Sequence, residues 1–345
     1  MMHIDKYTDA ILNCRFCFMC RHLSGIGNVA FTESDTPRVR ASLLYGVTTG
    51  RIQLDNPDVI ACLYRHDLSG ACRRNCVKHF DEIGLNLAAR ADIVASGCAP
   101  ASIQALADSL MQTARWTVDG SGEVLYFVDL YTQETGTVAA AFAKIMAKAK
   151  VSYQTVSGGC IGKGLKTLGY LPEAAAAAKQ FAAVVEKSGA KTVVVSNPAA
   201  YDALVNDFPA LGIKLAATVM HTSEYILSLA LPWQNPQEVY YLESDFLRNY
   251  NSDLPAPHSL LQAVGAKNRP FGTNDEESYT CGEGAVLLPR IDASLVEKLA
   301  QYIEARADAP STDRILVASP YTKLMLGKYT SLHVQTLEEF VAEAI

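Results

Sequence analysis

The sequence predicts an α/β fold in which a helical N-terminal region precedes two copies of one strand–helix unit, and three observations predict it. First, EVLYFVDL (123–130) and KTVVVSNP (191–198) are short apolar runs rich in β-branched residues, the pattern of strands covered on both faces. Second, the helical segments TVAAAFAKIMAKAK and PEAAAAAKQFAAVVEKSGA lie between them, and strand–helix alternation builds a layered α/β structure. Third, the order recurs. EVYYLES (238–244) matches EVLYFVD (123–129), TCGEG (280–284) falls where GCIGKG (159–164) fell, and DRILVASP (313–320) matches KTVVVSNP, at offsets of 115, 121 and 122 residues. VEKLAQYIEARA supplies the second long helix. A near-constant offset indicates a unit copied once, since two copies are too few for a stacked array.

Ahead of the first copy the chain has a different character. Six of the nine cysteines fall within the first 76 positions. In TPRVRASLLYGVTTG, Thr36 before Pro37 opens a helix and Gly50 can close it. In FDEIGLNLAARADIVASG, Ile83, Leu85, Leu87 and Ile93 lie around a helix ending near Gly97. TVDGSGE (117–123) reads as a linker. The 345 residues thus divide into three domains, 1–118, 119–232 and 233–345, consistent with roughly 100–150 residues per domain.

Composition narrows the function. Hydrophobic residues make up 49 % of the chain, as in ordinary soluble protein, and the net charge of −6 argues against a nucleic-acid binder. No apolar stretch reaches the roughly 20 residues of a membrane span, and MMHIDKYTDA has neither the apolar core nor the cleavage site of a secretory signal. A cytoplasmic protein is expected. Nine cysteines, an odd number, then read as metal ligands or free thiols rather than disulfides.

CRFCFMC places Cys14, Cys17 and Cys20 two residues apart, the opening of the ferredoxin run C-x₂-C-x₂-C-x₃-C-P. A turn of that spacing wraps one iron–sulfur cube, and in two-cluster ferredoxins the fourth cysteine of each run serves the other run's cluster. Here Ser24 stands at the fourth position of the first run. The second run, CLYRHDLSGACRRNCV, offers Cys62, Cys72 and Cys76 and lacks its middle cysteine. Under the crossing rule the set Cys14, Cys17, Cys20 and Cys76 is complete, whereas the set containing Cys62, Cys72 and Ser24 has lost two ligands. The reading is one [4Fe–4S] cluster and one vestigial site, with Cys62 and Cys72 as packed thiols and Cys98 as a structural one. Zinc is the alternative, as are free core thiols, because four thiolates also close a tetrahedral zinc site.

The order CRFCFMC … TPRVRASLLYG … CRRNC … FDEIGLNLAARADIV resembles the N-terminal helical ferredoxin domain of the heterodisulfide reductase and glycolate oxidase iron–sulfur subunit family. HTSEYILSL (221–229) and FLRNYNSDLPAPHSLLQAV (246–264) resemble that family's connecting sequences, and the two copies resemble its cysteine-rich domains, named for a Cys-Cys-Gly motif. The resemblance implies a helical ferredoxin domain over 1–118 followed by two Rossmann-like α/β domains of that type. The copies depart from the pattern. The family's cysteine positions carry Leu130, Ile161, Asn197 and Ala200 in the first copy, and Asp245, Thr280, Ser319 and Thr322 in the second. Only Cys160 and Cys281 remain, and one thiol per site cannot hold the family's noncubane cluster, so none is expected. These two thiols read as small buried residues or, functionally, as redox thiols or residual ligands beside Asp245, Glu283 or His221.

The resemblance further implies an electron-transfer subunit. It would take electrons from a flavoprotein dehydrogenase of the 2-hydroxy acid type and pass them through the cluster to a next carrier or a quinone pathway. Membrane association would come only through partners. His66, His79, Arg65, Arg73, Arg74 and Lys78 around the second cysteine run read either as a basic docking face for an acidic partner or as a merely solvated one. GCIGKGLK is only a weak phosphate-loop signal, since it is not G-x-G-x-x-G. Three alternatives stay open: a disulfide or quinone reductase acting at the repeats, a non-redox scaffold with zinc or nothing at its cysteines, and an empty repeat interface recruited to bind a small molecule.

Overall fold

The computed structural model describes residues 2–14, 17–112, 115–307 and 313–345. The fold is mixed α/β, with helices up to Gln112 followed by two separate sheets. The first sheet contains β1 (Thr117–Gly120), β2 (Val124–Val128), β3 (Tyr153–Ser157), β4 (Thr192–Val195) and β5 (Thr218–His221) in the order β1-β3-β2-β4-β5. The second contains β6 (Glu238–Leu242), β7 (Lys267–Arg269), β8 (Arg314–Val317) and β9 (His333–Thr336) in the order β7-β6-β8-β9. Within β2–β5 and within β6–β9 every pairing is parallel, and the two orders are the same doubly wound arrangement.

The segment read as a linker does not behave as one. Thr117–Gly120 pairs antiparallel with β3 as an exposed edge strand. Gly122, at φ +139°, turns the chain tightly into β2, and a methyl group there would lie 2.3 Å from the Ser152 carbonyl oxygen. Polar, glycine-rich composition concealed a strand that needs apolar residues on neither face.

The strands form where β-branched and aromatic residues run together. In β2, Phe127 meets Phe181 of the helix Leu171–Ser188 at 5.0 Å on one face, and Tyr126 stacks on Phe142 of the helix Thr137–Ala149 at 4.0 Å on the other. The helix Leu171–Ser188 has Pro172 and Glu173 in its first turn and ends on Gly189 in the left-handed region.

Duplication extends to backbone detail. Gly162 (φ +95°) and Gly282 (φ +92°) occupy the same left-handed turn before Lys163 and Glu283 respectively. His221 and Thr336, which end the last strands, both cap the next helix in a capping box closed by Glu224 and Glu339.

The N-terminal helices pack directly on both repeats. Leu44, Leu63, Leu85 and Ile93 share a core with Leu165, Leu168 and Leu287. Arg90 is wholly buried, and its guanidinium donates to the carbonyls of Leu63 (2.7 Å) and Thr167 (2.7 Å). Burial lowers its pKa to about 10. Gly284 sits so close beneath the Leu68 carbonyl that a methyl group there would lie 2.1 Å from its oxygen.

Candidate functional site

The cysteines of the opening run are brought to those of the second by short helices. Cys14 ends the helix Thr8–Asn13, Cys20 lies in the helix Met19–Leu23, and Cys76 ends the helix Ala71–Asn75. Cys14, Cys17, Cys20 and Cys76 line one pocket of about 550 Å³ including its mouth, together with Leu23, Pro37, Arg38 and Phe80. Arg15 and Phe16 of the motif lie outside the described residues. Cys72 also faces this pocket, which the spacing alone did not indicate. It is buried, its thiol donates to the Cys20 carbonyl at 3.6 Å, and burial pushes that thiol well up, as it also raises Cys20.

A single zinc ion would gather sulfurs at about 2.3 Å around one point. Among the described residues, no group of three or more His, Cys, Asp or Glu side chains is gathered closely enough to hold a metal ion of any kind. Cys14, Cys17, Cys20 and Cys76 share the lining of one pocket. No disulfide joins any of the nine cysteines.

The other half of the ferredoxin pattern is closed by protein. Ser24 caps the helix Gly25–Ala30, accepting from Gly27 N at 3.2 Å and donating to the Asp35 carbonyl at 2.8 Å. The Cys62 thiol donates to the adjacent Ser34 carbonyl at 3.0 Å. Buried Arg40, 3.8 Å from Asp35, fills the same interior. One backbone loop, Ser34 and Asp35, therefore takes up both the Ser24 hydroxyl and the Cys62 thiol. Cys98 is half-buried, with its thiol near the Ser96 carbonyl at 3.7 Å.

The basic residues around Cys76 form a free face only in part. Arg73 donates to the Asn249 carbonyl (2.9 Å), Arg74 pairs with Asp253 (2.8 Å) and Arg65 with Asp292 (3.4 Å). His66 is buried, its Nδ1 accepting from Leu68 N at 2.8 Å. Lys78 and His79 stand exposed. Beside them Met19 (49 % exposed) and Val77 (76 %) line the cysteine pocket, and Phe18, next to Met19 in the chain, is 72 % exposed. The Arg38 guanidinium lies 4.2 Å over the Phe18 ring.

The two repeat sites differ from one another. In the second, Cys281 is buried, and burial together with Glu283 and Asp245 pushes its thiol well up. Glu283 accepts from Ser244 Oγ (2.8 Å) and Asp245 N (2.7 Å), while Asp245 accepts from Thr280 Oγ1 (2.6 Å) and Gly284 N (3.0 Å). Burial, and then the neighbouring Glu283 charge, hold Asp245 well above the usual carboxylate range. Tyr321 closes the space, donating to the Cys281 carbonyl at 3.1 Å. In the first repeat Ala199 stands where Tyr321 stands in the second, and a cleft remains. Cys160 lies in its wall, accepting from Gly162 N at 3.3 Å, with its thiol pushed up by burial. Lys163 cannot serve as a phosphate hand, because its ammonium is held by Asp202 and by Asp207 (2.9 Å).

His221 is a junction between the repeats rather than a partner of either cysteine. Its Nε2–H faces the carbonyls of Ser196 (3.2 Å) and Ala318 (3.3 Å), equivalent positions after β4 and β8, while Nδ1 accepts from Ser223 N at 3.2 Å. Burial lowers its pKa to about 4, so the ring is neutral in the folded chain. Unfolding restores a value near 6.5, so between pH 6.5 and 4 the unfolded chain binds the extra proton and stability falls as pH falls. The loss reaches about 2 kcal/mol by pH 5. Urea midpoints from pH 7 to pH 5 should drop more steeply for the wild type than for His221→Asn; parallel slopes would remove His221 as the cause.

No helix among the described residues is long and apolar enough to cross a membrane. No protein-family model matches the chain. A curated protein of Syntrophomonas wolfei subsp. wolfei (strain DSM 2245B / Goettingen), named EtfAB:quinone oxidoreductase, is 27 % identical over 210 residues, covering 58 % of this chain and 28 % of its own length. The chain thus spans little more than a quarter of that relative. Among solved structures, glutamate racemase isoform RacE1 from Bacillus anthracis superposes with a TM-score of 0.29 at 12 % identity, covering 65 % of this chain and 79 % of its own, a score that carries no argument.

Proposed function

We propose that the chain is an iron–sulfur electron-transfer protein holding one [4Fe–4S] cluster on Cys14, Cys17, Cys20 and Cys76. The observation that carries this reading is the single pocket lined by those four cysteines, two of them more than fifty residues apart in sequence. The cluster would supply one-electron chemistry, and burial and hydrogen bonding around the thiolates would tune its potential. Pro37, Leu23 and Phe80 keep water from its inner side. Exposed Met19, Val77 and Lys78 at the pocket, with exposed Phe18 packed on the pocket residue Arg38, form the docking surface of this reading. The partner is a flavoprotein dehydrogenase, of the kind that oxidises 2-hydroxy acids. The name of the Syntrophomonas relative, an oxidoreductase, supports a redox role.

Iron and sulfide analysis with EPR on anaerobically purified protein tests the cluster. About four irons per chain and a cubane signal on reduction are expected. Colourless protein without inorganic sulfide would sink the reading. A pull-down from the native host that recovers a flavin-containing subunit, and loses it in Phe18→Asp, tests the docking surface.

A further inference from the structure

We propose that the cleft of the first repeat is a binding site for a flat, uncharged, largely apolar ring compound. Its position comes from the strand order. In β3-β2-β4-β5 the connections leaving β2 and β4 run in opposite directions, and a crevice opens between them at their carboxyl ends. The cleft lies there, bounded by residues that follow β2, β3 and β4 and by a loop of the second repeat. Its water-accessible volume is about 210 Å³, or about 880 Å³ when the open space at its mouth is included.

The lining sets the chemistry. Phe127, Leu130, Ile161, Val286 and Leu287 supply apolar walls. The charged groups at the edge are already spent. Asp129 accepts from Thr132 N (3.1 Å), Thr132 Oγ1 (2.5 Å), Tyr131 N (3.4 Å) and Asn197 Nδ2 (2.5 Å). The Lys163 ammonium is taken by Asp202 and Asp207. A charged ligand would be desolvated in this cleft without gaining a partner, whereas a neutral ring exchanges water for apolar contact. The Asn197 amide is also engaged, by Asp129 and by Ala199 N (2.9 Å), which leaves the Cys160 thiol at the wall to orient a polar edge.

The second repeat shows what closes such a cleft. There the equivalent of Ala199 is Tyr321, 1 % exposed, which occupies the space and bonds to the Cys281 carbonyl. Restoring that ring in the first repeat should therefore exclude a ligand. Trp116 provides a reporter. It backs Gly159 in the cleft wall so closely that a methyl group on Gly159 would lie 2.5 Å from the indole.

The test uses intact, cluster-oxidised protein and duroquinone, whose fully methylated ring does not readily add to the Cys160 thiol. Calorimetry should show saturable binding of one molecule per chain, with quenching of tryptophan fluorescence. Ala199→Tyr should weaken binding at least tenfold without changing iron or sulfide content. Leu130→Trp, at the exposed rim, should do the same and covers the case in which the first variant misfolds. Anthraquinone-2-sulfonate, which carries a charge, should bind at least tenfold more weakly than duroquinone. Absence of saturable binding, affinity unchanged in both variants, or tighter binding of the sulfonate would each overturn the proposal. No electron transfer is involved, so failure here leaves the cluster reading standing, and colourless protein that binds duroquinone would do the reverse.

Discussion

Cys76→Ser should strip the proposed four-iron cluster or convert it to a three-iron form, while Cys62→Ser should leave about four irons per chain in place. The expectation follows from where the two thiols sit. Cys76 lines the pocket formed by Cys14, Cys17 and Cys20, and Cys62 instead donates to the Ser34 carbonyl. Cys72→Ser is the demanding control, because that thiol also faces the pocket. Its thiol is engaged with the Cys20 carbonyl, so the proposed cluster should survive its loss. Iron, sulfide and EPR on the three variants, purified without oxygen, decide the matter. A cluster that tolerates Cys76→Ser and fails in Cys72→Ser would move the fourth ligand four residues upstream.

Lys163→Met should cost about 3–5 kcal/mol of stability, the range for removing one partner of a buried ion pair. Methionine keeps most of the volume but leaves Asp202, which is 2 % exposed, and the nearby Asp207 without their shared counter-charge. Lys166 still reaches Asp207 at 2.6 Å, but no other ammonium pairs with Asp202 among the described residues. Adding Asp202→Asn to Lys163→Met should recover most of the loss, since the orphaned charge goes with it. Urea denaturation at neutral pH measures both effects. A loss below about 1 kcal/mol in the single variant would show that water reaches the carboxylates.

Much of the architecture was legible because it rests on local pattern. Runs such as Thr192–Val195 and the alanine-rich stretch before Gly189 announce strand and helix by composition, and the repeated order of motifs announced the second sheet. What stayed hidden depends on neighbours distant in the chain. Thr117–Gly120 is exposed along its length, so no hydrophobic alternation marks it; its pairing with β3 makes it a strand. Arg90 reads as one more charged residue in a helix, and only the folded chain shows its guanidinium ringed by carbonyls. The ligand spacing indicated which cysteines to group, but not that Cys72 faces the same space. The open cleft had a signal that went unused: aligning SNPAAY with ASPYTK sets Ala199 against Tyr321, a large difference in volume at one equivalent position.

The join between the helical region and the repeats also bears on how electrons could be delivered. Arg90 to Thr167, Tyr64 to Leu168, Tyr250 to Leu68, Asn249 to Ser69 and Arg73 to Asn249 are five hydrogen bonds across it. At about 1 kcal/mol each, before any apolar contact is counted, they hold the two parts in a fixed pose. If the chain is the electron carrier proposed above, it would not swing its redox centre between donor and acceptor as a tethered shuttle does. On that proposal any change of address would have to come from the partners, each visiting the same rim in turn, with turnover set by how quickly the first departs.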